Sequence, residues 1–78
     1  MKVKVVGKQH REGTSKKSGK EYSMNLAYCE YSAHNVEGVM TGDFIIPDSL
    51  VNFSSIVIGG SYNFDFDNRG YLVSVSKV

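Results

Sequence analysis

The residues best equipped for chemistry in this sequence lie close together. Lys16, Lys17 and Lys20 surround Gly19, and Tyr22 and Met24 follow at once, in the run KKSGKEYSMN. Lysines on a hairpin loop can hold phosphates through charge and counterion release, without fixed geometry. An aromatic beside them offers an unpaired base a face to stack on, whatever the base. The competing reading is structural: a solvated turn that leads into a core strand. Arg11 and Arg69 are the two other cations placed where they could reach a phosphate, Arg69 on a tight turn.

Charge is distributed very unevenly. Residues 1–20 hold seven cations (Lys2, Lys4, Lys8, Arg11, Lys16, Lys17 and Lys20) against the single acid Glu12, a balance of +6. Residues 21–78 hold Arg69 and Lys77 against seven acids, a balance of −5, so the net charge of +1 conceals a basic first quarter. Such asymmetry points to a polyanion met by one end of the chain.

Other chemistries find little material. Cys29 is the only cysteine, so no disulfide can form within the chain, and with His10 and His34 it makes no zinc-ligand pattern. Cys29 reads as a small core residue. Asp65 and Asp67 alternate with Phe64 and Phe66, which places them on a strand's solvent face. With no phosphate-cradling glycine loop and no cluster of ligands, the expectation is a protein that is not an enzyme and needs no cofactor, metal or small-molecule substrate. No apolar run suggests a signal peptide or membrane span, so a cytoplasmic protein is expected.

The elements that must position these residues are strands. A chain of 78 residues is one small domain, residues 1–78. A chain so short gains from oligomerisation, and a homodimer is expected. Val3 and Val5 alternate with Lys2 and Lys4, which predicts a first strand ending near Gln9 or Arg11. Residues 12–21 read as a hairpin loop. A second strand is predicted over Tyr22–Tyr31, with Tyr22, Met24, Leu26 and Tyr28 on one face. An apolar face normally points into a core, so a bulge near Asn25 is expected to turn Tyr22 and Met24 outward.

The third strand is predicted over 39–46, ended by Pro47. Asp48 or Ser49 is expected to cap a short helical turn through about Phe53. Tyr62, Phe64 and Phe66 mark a fourth strand, and Asp67-Asn68-Arg69-Gly70 a tight turn. A fifth strand over Tyr71–Lys77 is expected to face Tyr71, Val73 and Val75 one way. The core is expected from Val3, Val5, Phe44, Ile46, Phe64, Phe66, Val73 and Val75. This is an all-β chain, and five strands with a helical piece between the third and fourth fit a Greek-key barrel of the OB type. An SH3-like barrel is the alternative.

On Gly19, Lys20, Tyr22, Ser23, Met24 and Asn25 the sequence resembles the gene-V type single-stranded-DNA-binding proteins of filamentous phages. Cys29 and the closing stretch from Gly60-Ser61-Tyr62-Asn63-Phe64 to Lys77 extend the likeness. The resemblance implies an OB-fold homodimer that coats single-stranded DNA with little sequence preference during phage or mobile-element replication. Lys17 and Lys20 fall on its basic loop, and Tyr22 and Met24 on its stacking pair. Glu21 replaces a proline there, and Glu30 stands at an aromatic position that a bulge would restore to Tyr31. The nucleic-acid contacts expected are therefore Arg11, Lys16, Lys17, Lys20, Tyr22, Met24, Tyr31 and Arg69. Two rivals use the same features differently: single-stranded RNA binding with translational repression, and a β-barrel adaptor for other proteins.

Overall fold

The computed structural model describes residues 1–78. Five antiparallel strands form one sheet: β1 (Lys2–Thr14), β2 (Glu21–Tyr31), β3 (Met40–Ile45), β4 (Ser61–Phe66) and β5 (Leu72–Lys77). Their order across the sheet is β3-β2-β1-β4-β5. The only helical piece is a 3-10 turn at Phe53–Ser55, and no helix is long and apolar enough to cross a membrane.

β1 organises the sheet because it has two partners. Lys2–Lys4 pair with Asn63–Ser61 of β4, while Lys4–Thr14 pair with Glu30–Glu21 of β2. Val6 is an extra residue between the pairs Val5–Cys29 and Gly7–Tyr28. A bulge of this kind bends and twists its strand. Inward-facing Val3, Val5, Ala27, Cys29, Ile46, Ile56, Tyr62, Phe64 and Leu72 make the buried core.

The sheet curls far enough for β3 to meet β4 across the core. Phe44 of β3 packs edge-on against Phe64 at 5.8 Å between ring centroids and lies 5.5 Å from Phe66. The predicted closure of the barrel is nevertheless not made. No backbone ladder joins β3 to β5, and both remain edge strands. An apolar cleft between Phe44, Ile45 and Pro47 on one side and Phe66, Tyr71 and Leu72 on the other marks the seam.

Three local expectations are corrected. β1 runs on to Thr14, because beyond Lys4 it has no ladder with β4 and from His10 on it forms a two-stranded arm with β2. Such an arm has solvent on both faces and needs no apolar alternation. The helical turn is capped by Asn52, whose Oδ1 accepts from the Ser54 N–H at 3.2 Å, and not by Asp48 or Ser49. Val73 is exposed, because it is the extra residue between the pairs Phe66–Leu72 and Asp65–Ser74. Leu72 thereby takes the inward place, and Tyr71 stays outside.

Candidate nucleic-acid interface

The arm carries most of the predicted site. At its tip, Ser15–Lys20 form a compact turn in which Ser15 N–H donates to Lys20 O and Gly19 N–H donates to Ser15 O, each at 2.8 Å. Gly19 has φ +69, a conformation that glycine adopts without strain. The side chains of Lys16, Lys17 and Lys20 all stand in solvent. The only ion pairs in the chain are His10–Glu12 and Arg69–Asp67, so these lysines and Arg11 have no acidic partner.

Alternation along β2 decides what lies beside them. Ala27 and Cys29 point into the core, so the even-numbered Tyr22, Met24, Leu26 and Tyr28 belong to the outer face. Tyr22 is 40% exposed and Tyr28 38%, while Met24 is half-buried. The expected bulge near Asn25 is absent: β2 pairs without a break from Glu21 to Tyr28 with β1, and from Leu26 to Tyr31 with β3. Tyr22 therefore faces out by simple alternation, and of the four residues on this face only Leu26 is buried. Glu21 alternates with Tyr22 and so belongs to the other face of the arm.

Each outward tyrosine lies opposite a glycine of β1. Tyr22 pairs with Gly13 and Tyr28 with Gly7. A Cβ at Gly13 would meet the Tyr22 Oη at 3.0 Å, and one at Gly7 would meet the Tyr28 ring at 3.6 Å. The missing side chain at Gly13 lets the Tyr22 ring lie across β1, whereas a Cβ at Gly7 would be in ordinary contact with Tyr28. Tyr28 is held further by its hydroxyl, which donates to Gln9 Oε1 at 2.5 Å. Arg11 pairs with Met24, so a cation stands between the two rings on the same face.

Two predicted contacts lie elsewhere. Tyr31 is an inward position, packed on the core with its ring 6.1 Å from Phe44. No register shift brings it beside Tyr22, because the pairing of β2 with β3 runs straight through to Met40. Arg69 sits on the β4–β5 turn, paired with Asp67 at 3.1 Å and stacked 5.1 Å over Tyr71. That turn borders the β3 edge. Asp67 accepts the backbone N–H groups of Tyr71 and Arg69, and these bonds, Tyr71's first, hold its carboxyl below the usual range.

The opposite face of the arm holds a constellation that the sequence did not announce. Ser23 Oγ lies 3.2 Å from His10 Nε2, and His10 Nδ1 lies 2.7 Å from Asn25 Oδ1. Asn25 Nδ2 then donates to Asp48 Oδ1 at 2.6 Å. The chain ties β1, β2 and the turn after β3 together around the buried Asn25. Only the pairing His10–Asn25 brings these residues into line, and nothing in their sequence spacing indicates it. Lys8 is likewise committed to structure. Its Nζ donates to Phe53 O and Ile56 O, both at 2.8 Å, and rests 4.4 Å over the Phe53 ring. It thus satisfies carbonyls at the end of the 3-10 turn and is withdrawn from the cationic face.

Cys29 is buried, and desolvation pushes its thiol up to about 11, which leaves it protonated and unreactive at neutral pH. No group of three metal-ligating side chains converges anywhere in the chain. The arm thus presents unpaired cations at its tip and flat-lying rings along its outer face, and comparison with protein-family models, curated proteins and solved structures finds no match to this chain.

Proposed function

We propose that this protein is a non-enzymatic single-stranded-DNA-binding protein. Lys16, Lys17, Lys20 and Arg11 neutralise phosphates, and Tyr22 and Met24 support unpaired bases. The observation that carries this reading is the flat seating of Tyr22 over Gly13, on the same arm as four cations without partners. A ring lying across a strand and left partly exposed can offer a face for base stacking. Arg69 adds a phosphate contact at the far edge of the sheet, while Tyr31 serves the core.

The strand order, with β1 shared by β2 and β4, supports an OB-type barrel opened along the β3–β5 seam. Its open edges and small core support a homodimer. Replication of a phage or mobile element is the setting that the likeness of KKSGKEYSMN suggests.

Fluorescence titration with oligo-dT tests the reading. Binding should be saturable and weaken with salt, with a log–log slope of about −0.7 for each phosphate neutralised. Tyr22→Ala should lose about 1–3 kcal/mol of affinity with the slope kept. Lys20→Ala should reduce the slope by about 0.7. Absence of binding at low salt would refute the proposal. Binding to a matched RNA oligomer more than about tenfold tighter than to DNA would transfer it to single-stranded RNA.

A further inference from the structure

Beside Tyr28 the outer face changes character. The Tyr28 ring leans over β1, towards Gly7 and Gln9, and leaves its β3 side uncovered. There a shallow hollow of about 240 Å³ opens between Val6, Tyr28, Thr41 and Asp43. Asp43 is the register partner of Tyr28, so its carboxylate stands on the same face, one strand away from the ring. It belongs to neither ion pair, and its acceptor oxygens are open. Thr41, two residues along, adds a hydroxyl to the same wall.

This end of the face is unsuited to phosphate. The lysine tip lies at the other end of the arm, beyond Tyr22, which is itself six residues of β2 and roughly 20 Å from Tyr28. Asp43, which forms no ion pair, would repel a phosphate here, whereas the neighbouring Glu30 is faced by Lys4 across the β1–β2 ladder. What a lone carboxylate beside an aromatic ring recognises is the donor edge of a flat heterocycle. Bases differ in that edge. Guanine offers two adjacent N–H donors on its Watson–Crick side, one carboxylate's width apart. Cytosine and adenine offer an amino group, and thymine sets two carbonyls around its single N–H.

We infer that the hollow at Tyr28 and Asp43 is a base-reading subsite that prefers guanine to thymine on a strand running along β2. It rests on the proposed single-strand binding and adds selectivity to it. The base stacks on the open side of Tyr28, and the Asp43 carboxylate accepts from guanine N1–H and N2–H. No proton or bond is transferred. The phosphates of the same strand lie towards the arm tip, so charge and base recognition are segregated along one face.

The test uses dT octamers carrying a single central dG, dI or no substitution, titrated against the wild type and Asp43→Asn. Asp43 is exposed, so its replacement leaves the core intact. Wild type should bind the dG octamer about five- to tenfold more tightly than plain dT, the lower part of the range for a bidentate base contact. Inosine, which lacks the amino group, should fall between the two. In Asp43→Asn the dG advantage should shrink below about twofold, because an amide presents only one acceptor. Equal affinity of wild type for dG and dT octamers would overturn the inference and leave the single-strand reading intact. A dG preference that survives in Asp43→Asn would also overturn it. Failure of every octamer to bind would remove both.

Discussion

His10 shows how a polar residue of no special spacing becomes a linchpin. It is bounded by Asn25 on Nδ1 and by Ser23 and Glu12 on Nε2, with Asp48 behind Asn25. The hydrogen bond with Asn25 is the strongest influence, and with the Glu12 and Asp48 charges it outweighs desolvation to raise the imidazole pKa. A folded-state value above the unfolded one favours the fold most where the unfolded imidazole is still protonated. The contribution is full below the unfolded pKa of about 6.5 and is lost as pH rises through the folded value. Replacing His10 with Gln should therefore destabilise the protein more at about pH 5.5 than at about pH 8.5. Urea denaturation at the two values measures this, and an equal difference at both would disprove the linkage.

The β1–β2 arm is the element on which the proposed binding depends. Its two faces do separate jobs: one carries the His10 network and the other the two tyrosines. Gly13 is the position where these roles can be pulled apart. Alanine there would bring Cβ against Tyr22 Oη at 3.0 Å and Cζ at 3.2 Å. Both atoms lie at the end of a rotatable side chain, so the ring can swing away at little expense to the fold. Gly13→Ala should alter stability by less than about 0.5 kcal/mol, as for other surface changes. Oligo-dT affinity should fall several-fold, because the ring no longer lies flat. Paired chemical denaturation and fluorescence titration would check this, and unchanged affinity would show that ring seating is irrelevant.

Taken as a whole, the molecule is elongated, with principal extents of 42 × 27 × 24 Å. Its core is correspondingly small, and the curl of the sheet depends on a few aromatic contacts. Phe64 is fully buried and meets both Phe44 and Phe66. Phe64→Ala should cost about 3–5 kcal/mol through lost burial and a residual cavity. In a domain of this size that lowers the melting temperature by at least about 12 °C. Calorimetry would measure it, and a drop of only a few degrees would mean that the core collapses around the vacancy.

Much of this architecture was legible in the chain. Val3, Val5, Cys29 and Phe64 read correctly as core, and Gly70 as the positive-φ residue of the last turn. The lysine turn and all five strands were likewise readable, because alternation and turn residues are local signals. Alternation tells which residues share a face, but not which face will be covered. Tyr22, Met24, Leu26 and Tyr28 share an apolar face, yet with Ala27 and Cys29 inside the curl of the sheet only Leu26 among them is buried. The bulges at Val6 and Val73 depend on the strands across from them, so no local pattern reveals them. Lys8 counted among the cations until the turn at Phe53–Ile56 came within reach of its amine. The lysine tip and the strands were therefore fixed by local chemistry. The open tyrosine face, the Ser23–His10–Asn25–Asp48 chain and the unclosed β3–β5 seam were decided only by what packs against what.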